Sequence, residues 1–377
     1  MSFNLIRNSR VFFTTNVDSG TGVVKSTGFL PANTREIQVL DGFSFSQNTT
    51  QETVTLNEAG ATPVRGQRSF NTSLDPADFS FTTYMRPADT GTNISCEESV
   101  LWNAMFSDEA IGTAGAAWSD GTSVATCVVT NSDTHQLQKF GMIITIDSTT
   151  FVIDNCVLNT ATIDFGLDAI ASIQWAGQGA VLRQIATPTL TGTTTVTLAG
   201  SLTGTALGKN TAAPYIANKL STVTLDSGIG SGGTAYTLAL TGGSLTISNN
   251  VTYLTPANLA VVNKPVTYFT STRAISGSLN CYLRTGTGNS SDLMSALLAS
   301  SSSDVNPAYY LKIAVGGAAN VTHVDFTMPA VVLSIPSVNA EQVVSTTINF
   351  TAQGSTGSAF DIGVANELTV DYVTANA

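Results

Sequence analysis

The chain has 377 residues, of which 42% are apolar and 11% are charged, and its formal net charge is −11 at pH 7. These values exclude a disordered polyelectrolyte and predict a folded protein with room for two or three cored domains. The acidic balance argues against ordinary nucleic-acid binding, because such binding uses clustered lysine and arginine to displace counterions. An acidic surface close to DNA would instead repel the phosphate backbone.

The sequence shows neither a targeting signal nor the cysteine spacing of a disulfide framework or a zinc site. The first residues contain no apolar segment of signal-peptide length, and no later apolar run is long enough for a membrane span. We therefore expect folding in a cytoplasm and no membrane insertion. The cysteines lie far apart without C-x-x-C spacing, which favours buried free thiols over disulfides or zinc. They are Cys96, Cys127, Cys156 and Cys281.

The first periodic segment predicts a strand, a long hairpin loop and a second strand. Ile37 to Ser46 alternates polar and apolar residues into Phe43 and Phe45. A polar stretch from Gln47 to Ser69 then interrupts the alternation, which resumes from Phe79 to Met85. Loops of this length in compact domains are usually functional.

A short helix is predicted next, over Glu98 to Phe106. Leu101 and Met105 are spaced for one buried face, and Ser99 is placed to cap the first turn. The adjacent carboxylates Glu97 and Glu98 begin this helix and favour its dipole, with acid catalysis as a remote alternative.

The second half repeats this plan. Leu245 and Ile247 begin a strand, a long excursion runs from Asn249 to Ala274, and the strand that follows places Leu279, Cys281 and Leu283 inward. A second helix is predicted over Ser291 to Ala299, with Ser291 as its cap.

Two ungapped alignments support a duplication. Phe151 to Gly179 lies over Phe326 to Gly354, and Ser80 to Arg86 lies over Ser278 to Arg284. We therefore predict a mainly β chain of two tandem β-sandwich or partly closed barrel domains, each with a long hairpin loop and one short flanking helix. The predicted domains are residues 1–187, with an N-terminal arm, and 188–377. The boundary falls in a linker near Thr187 to Thr195.

The first copy resembles the tail tube protein of tailed bacteriophages in three segments, taken in order: QVLDGFSFSQNTTQETVTLNEAG, RGQRSFNTSLDPADFSFTTYMRP and SIQWAGQG. The second copy resembles the same domain in weaker form, so the resemblance covers most of the chain. Many tube proteins have one such domain and form six-membered rings. The doubled form is similar to the tubes of some long, flexible, non-contractile tails, in which trimers imitate a hexamer.

The resemblance implies a structural virion protein that is assembled in the host cytoplasm into the stacked rings of a phage tail. Sheets of this fold join into one inner β-barrel around a channel for DNA, and the long loops pack onto the neighbouring ring. The implied partners are other copies of the chain, the tape measure protein, the tail terminator and the tail tip. Double-stranded DNA passes through without specific binding. The candidate ring-stacking residues are Asn48, Glu52, Asn57, Glu58, Arg65, Arg68, Asn249, Tyr253, Lys264 and Arg273.

Acidic residues are concentrated in the first copy. Residues 1 to 185 contain 9 Lys and Arg against 18 Asp and Glu, whereas residues 186 to 377 contain 6 against 8. We hypothesise that first-copy carboxylates make the lumen negative; the alternative is that they are solvated groups needed for solubility. The candidates are Asp41, Glu52, Asp164 and Asp168. Arg86 and Arg284 end equivalent strands, where each is either an inter-subunit partner for a carboxylate or a solvated strand end.

Enzymatic interpretations have little support in the sequence. Gly228 to Gly233 fits G-x-G-x-x-G, but the strand-like Thr234 to Leu240 follows it where a dinucleotide site needs a helix. His135 and His323 stand outside any metal or nucleophile motif. We expect no catalysis, no cofactor and no metal.

Other structural and binding functions remain as alternatives. A tail terminator, a tail-tip ring or a secretion-system tube would share the fold. A surface adhesin or carbohydrate-binding β-sandwich belongs to a different class, and the missing signal peptide and exposed aromatic cluster disfavour it. Trp175 and Phe350, which could stack on a ligand, occupy matching inward positions and are assigned to the core.

Overall fold

The chain is mainly β, with two α-helices in the part that a computed structural model describes. The described residues are 9–25, 29, 33–54, 68–89, 91–107, 117–129, 137–146, 149–185, 214–304, 307–317, 321–339 and 343–375. The predicted boundary at residue 187 and the linker Thr187 to Thr195 lie outside these ranges.

The first copy contains helix α1, Ser99–Phe106, among fourteen strands. The strands are β1 Ser9–Thr14, β2 Thr34–Ile37, β3 Ser44–Ser46, β4 Thr49–Val54, β5 Arg68–Leu74, β6 Ala77–Tyr84, β7 Pro87–Asp89, β8 Ile94–Cys96, β9 Trp118–Ser119, β10 Val124–Val128, β11 Phe140–Ile146, β12 Thr149–Asp164, β13 Ser172–Gly179 and β14 Val181–Ile185.

The second copy contains helix α2, Ser290–Ser303, and a short 3-10 helix, Asn218–Leu220. Its strands are β15 Thr222–Ser227, β16 Ala235–Tyr236, β17 Ala239–Ser248, β18 Val251–Leu254, β19 Thr267–Thr270, β20 Ala274–Tyr282, β21 Tyr309–Val315, β22 His323–Leu333, β23 Ser337–Asn339, β24 Ser345–Ala352 and β25 Thr369–Val373.

The two copies share their strand pairing in detail. β11 pairs with β12 antiparallel, with a register shift between Phe140 and Met142, and β21 pairs with β22 with a shift between Tyr309 and Leu311. A bulge at the same place in both copies supports common ancestry, because bulges are kept within families. Strands β7 to β10 have no counterpart in the described second copy, so they are an insertion in the first.

A pair of serines marks the same position in both copies. Ser44 lies opposite Ser80, with 2.9 Å between their hydroxyl oxygens, and Ser244 lies opposite Ser278 at 3.1 Å. This pair makes β3 the counterpart of β17 and β6 the counterpart of β20.

The next strand departs from the ungapped alignment. Trp175 lies opposite Phe81, whereas Phe350 lies opposite Gly277, the counterpart of Phe79. The two sequence alignments are therefore offset by two residues in the sheet. Because side chains alternate with period two, the inward residues stay inward.

In both copies this register places an aromatic ring beside a glycine, but the ring and the glycine are on exchanged strands. Phe79 lies over Gly177 in the first copy, and Phe350 lies over Gly277 in the second. A Cβ added to either glycine would come within 2.5 Å of the aromatic ring. Each glycine thus leaves room for the ring on the adjacent strand, which keeps the core densely packed.

Several sequence expectations can be checked directly. Trp175 and Phe350 are buried, which confirms their assignment to the core, and the four cysteines are buried and free. The strand predicted from Ile37 to Ser46 is broken, because the chain turns at Asp41 and Gly42, where Gly42 has a φ of 97°.

The predicted serine caps are wrong. The N-cap residues are Glu98 and Asn289, and neither makes a side-chain capping hydrogen bond. Ser99 and Ser291 lie inside the first helical turns. There the Ser99 hydroxyl instead accepts a hydrogen bond from the Arg35 side chain at 3.2 Å.

Candidate assembly surfaces

The sheets of the two copies are joined within one chain. β12 of the first copy pairs antiparallel with β17 of the second, with Ala161 opposite Ile247 and Ile163 opposite Leu245. The strand order across this intrachain joint is β3, β6, β13, β12, β17, β20, β24 and β23, and every neighbouring pair is antiparallel. One sheet of eight strands therefore runs through both copies.

Both ends of this sheet are open in the described chain. β3 pairs only with β6, and β23 pairs only with β24. An even number of antiparallel strands leaves the two end strands antiparallel to each other, which is also the relation between β12 and β17. Open strand edges are templates for pairing with another chain.

Apolar side chains are exposed along the β23 edge. Ile335 is 52% exposed and Val338 is 43% exposed. The position of Val338 corresponds to Ile163, which is fully buried at the intrachain joint. The second copy therefore presents an uncovered version of the surface that the first copy covers with β17.

The outward face of the eight-stranded sheet is polar but almost uncharged. One row of side chains crosses both copies through directly paired positions: Thr82, Gln174, Thr162, Thr246, Ser276 and Thr351. The outward residues of these strands include two carboxylates, Asp78 and Asp164, and no lysine or arginine. The face can form hydrogen bonds to water, but it lacks the cations that hold a polyanion.

The candidate lumen carboxylates are dispersed. Asp164 lies on the outward face at the end of β12, while Asp41 and Asp168 are exposed in turns at the same end of the sheet. Glu52 is exposed on β4, in the hairpin at the opposite end. The sequence analysis missed Asp78, which follows the strand alternation and could have been found from it.

The second-copy hairpin, β18 with β19, packs onto the first copy. The hydroxyl of Tyr253 donates hydrogen bonds to the carbonyls of Asn155 and Gln178, and the hydroxyl of Tyr268 donates to the carbonyl of Leu137. Both rings are buried in a cluster that also contains Leu137, Val157, Ala180 and Val251.

Two candidate stacking residues are therefore engaged inside the chain. Tyr253 is 9% exposed, and Asn249 is buried with its amide donating to the carbonyls of Met105 at 2.9 Å and Leu158 at 3.3 Å. The sequence analysis placed both residues in a polar loop. It could not identify their partners, because the carbonyls they bind are distant along the chain. Their side chains anchor the hairpin on the first copy.

The exposed part of this hairpin is its tip. Lys264 is exposed there, beside the exposed apolar residues Leu259, Val261 and Val262. Arg273, at the base, lies 3.8 Å from the Glu367 carboxylate and is only partly exposed.

The first-copy hairpin, β4 with β5, is mostly exposed. Asn48 and Arg68 are exposed, and the Arg68 guanidinium lies 5.1 Å from the centroid of the Phe70 ring. The remaining stacking candidates, Asn57, Glu58 and Arg65, lie outside the described residues.

The two candidate inter-subunit arginines differ in environment. Arg86 is 6% exposed; its guanidinium lies 4.6 Å from the Tyr215 ring of the second copy and donates to the Gln38 side chain at 3.2 Å. The solvated alternative is therefore wrong for Arg86, because tertiary packing covers the strand end. Arg284 is exposed.

A buried carboxyl links the insertion to the C-terminal strand. β25 pairs with β10 of the first copy and with β22 of the second. The Tyr372 hydroxyl on β25 donates to Glu98 Oε1 at 2.7 Å and accepts from Trp102 Nε1 at 2.8 Å. Burial raises the pKa of the Glu98 carboxyl to about 7, against the opposing effect of the Tyr372 hydrogen bond.

The adjacent carboxyl behaves in the same way. Burial also raises the pKa of Glu97 to about 7, and its carboxyl accepts a hydrogen bond from the Gln38 backbone. The sequence predicted that these two carboxylates begin the helix and favour its dipole. Glu98 is instead fully buried against Tyr372 of the second copy, and Glu97 is partly buried against the Gln38 backbone; both carboxyls are uncharged in acid.

The features considered for enzymatic sites have structural roles. Gly228, Gly230 and Gly232 have positive φ in the turn between β15 and β16, and a strand follows instead of a helix. His323 is buried with Nδ1 2.6 Å from the Val321 carbonyl, and His135 lies outside the described residues. No cluster of three metal-binding side chains occurs in the described ranges, and no helix there could cross a membrane.

The shared eight-stranded sheet, with an open strand at each end, is typical of structural proteins that associate through strand edges. Comparison with known proteins agrees: the chain is 32% identical, over 382 aligned positions, to "Tail tube protein pb6" of Escherichia phage T5. The alignment covers 96% of this chain and 75% of that protein. No family model matches the chain. The chain therefore belongs to the phage tail tube proteins, which are structural proteins and not enzymes.

Proposed function

We propose that the chain forms the tube of a phage tail, as trimeric rings that stack around a channel for DNA. The observation that carries this proposal is the sheet that runs unbroken through both copies and ends in two open, antiparallel edges. In the virion tail, other tail proteins (the tape measure, the terminator and the tip) would meet this tube.

Ring closure follows from repeating the intrachain joint between chains. β3 is the counterpart of β17, and β23 is the counterpart of the end of β12, so β3 of one chain pairs with β23 of the next. Phe45 then takes the place of Leu245 and covers Val338. This contact is heterologous, and it closes into a ring when the rotation between chains permits.

Three chains of eight strands give a barrel of about 24 strands. At a spacing of about 4.8 Å and a tilt of about 40°, its backbone diameter is about 48 Å, which leaves an open channel after side chains are added. Such a channel would be wide enough for a DNA duplex. The hydroxyl and amide face would line it, so DNA would meet hydrated neutral groups rather than cations.

Ring stacking is supported by the placement of the long hairpins. Both hairpins leave the sheet at one end, where Arg68, Lys264 and Glu52 are exposed, while Asp41, Asp164, Asp168 and Arg284 lie at the other end. We propose that the hairpin end of one ring meets the opposite end of the next. The apolar side chains at the hairpin tip are exposed to water in the single chain, and stacking would bury them. They are Leu259, Val261 and Val262.

A charge on the open β23 edge tests ring formation. In Val338→Lys the ammonium would face the apolar residues of the neighbouring β3, and charged edge residues block strand pairing. We expect wild-type tubes in negative-stain micrographs and none from the variant, with unchanged circular dichroism. Leu298→Lys, at a 50% exposed position on α2, is the matched control and should still form tubes. Tubes from Val338→Lys at wild-type yield would refute the edge pairing.

A further inference from the structure

Tyr268 shows how a hairpin is seated on its neighbour within the chain. Its ring is 1% exposed and packs with Tyr253 against Val157 of the first copy. The hairpin thus adds a second contact to the joint, separate from the pairing of β12 with β17.

The first copy carries the counterpart of this residue. Phe70 precedes Ser80 by the same number of residues as Tyr268 precedes Ser278, and the two serines are equivalent by their strand pairing. A bulge in the first hairpin sets Phe70 opposite Glu52, whereas Tyr268 lies opposite Tyr253. Phe70 is 47% exposed, so its ring has no comparable seat in the single chain. An aromatic ring in this position is costly to leave in water.

The second copy carries the counterpart of the seat. Val332 occupies the place of Val157, because β22 and β12 share their register and bulge. Val157 is fully buried beneath the tyrosines, whereas Val332 is partly exposed. The ring and the surface that would receive it are on opposite sides of the same chain.

We propose that Phe70 of one chain packs onto the second copy of a neighbouring chain, over Val332, and so seats the β4–β5 hairpin across the boundary between chains. This inference rests on the proposed ring and adds a contact outside its barrel. Phe70 has no hydroxyl, so the contact is apolar where Tyr268 also makes a hydrogen bond.

A cysteine pair tests the contact. In assembled Phe70→Cys/Val332→Cys protein, mild oxidation should link neighbouring chains, and the ladder on a non-reducing gel should end at three chains. The native cysteines are buried, which keeps the background low. Ser69→Cys/Val332→Cys is the matched control, because Ser69 is exposed on the opposite face of β5 and should cross-link far less.

A second variant covers the case in which the cysteine pair fails to assemble. Phe70→Ala should raise the protein concentration needed for tube assembly about tenfold or more, without changing the unfolding temperature of the unassembled chain. Tubes that form with no cross-linking above the Ser69 control, or a Phe70→Ala variant that assembles like wild type, would overturn this inference alone. A wild-type chain that forms no rings would overturn the proposed function itself.

Discussion

At the residue scale, Glu98 and Tyr372 connect the two copies through one buried hydrogen bond. Glu98 begins α1 in the first copy, and Tyr372 lies on the C-terminal strand of the second. Glu98 Oε2 is buried and has no hydrogen-bond partner among the described residues. A carboxyl in such a site is stable when protonated and costly when ionised.

This environment predicts a stability that falls as pH rises. The folded-state pKa of Glu98 is about 7, above the ordinary value of 4.5, so its contribution is complete below pH 4.5 and is lost as pH rises through about 7. In Glu98→Gln this loss, at most about 3 kcal/mol, should be absent. The melting temperature of the variant minus that of its parent should therefore increase as pH rises from 5 to 8.5.

The measurement uses the unassembled chain, in the Val338→Lys background, so that tube formation does not contribute. Glu97 titrates in the same range, and Glu97→Gln/Glu98→Gln should flatten the dependence further. Glu52→Gln, which makes the same replacement at an exposed position, is the matched control. An unchanged pH dependence in Glu98→Gln would contradict the buried, neutral carboxyl.

Single residues also show where sequence reasoning stops. The inward places of Trp175 and Phe350 follow from alternation, which is local. The buried roles of Asn249 and Tyr253 depend on first-copy carbonyls far away along the chain, and no periodic pattern encodes such a partner. Composition predicted an acidic surface, but it could not predict that the outward sheet face would be nearly neutral.

At the element scale, the order of strands, hairpins and helices was predictable and their pairing across copies was not. Both helices and both long hairpins occur where the sequence placed them, because each has its own local signal. The pairing of β12 with β17 required the tertiary structure, since any exposed strand edge could accept the other. β7 to β10 were not predicted, because they have no counterpart in the second copy with which they could be aligned.

The outward sheet face can be tested by chemical access. Thr351 is exposed at the end of the polar row, so a cysteine there should face the channel in a tube. In tubes of Thr351→Cys, we expect a small maleimide to react and a maleimide on a polymer too large for the channel not to react. Both reagents should label the same cysteine in the unassembled Val338→Lys background.

Ser302→Cys provides the control, because Ser302 is exposed on α2, behind the sheet. Both reagents should label it in tubes. Equal labelling of Thr351→Cys tubes by the large reagent would show that this face is not the channel wall.

At the scale of the whole molecule, the duplication acts as a rule for assembly. The two copies contact each other once within the chain, through β12 and β17. The counterparts of the two contact surfaces lie unpaired at the far ends of the sheet: β3 with Phe70 at one end and β23 with Val332 at the other. The copies are not interchangeable, because the first holds the insertion and most of the acidic residues. The ring we propose therefore alternates two related but distinct surfaces.

The most direct test of this account is the symmetry of the assembled protein viewed end-on by electron microscopy. We predict hollow tubes whose rings have threefold order and six similar lobes, one for each domain copy. Rings of six chains with twelve lobes, or a chain that stays monomeric at high concentration, would contradict it.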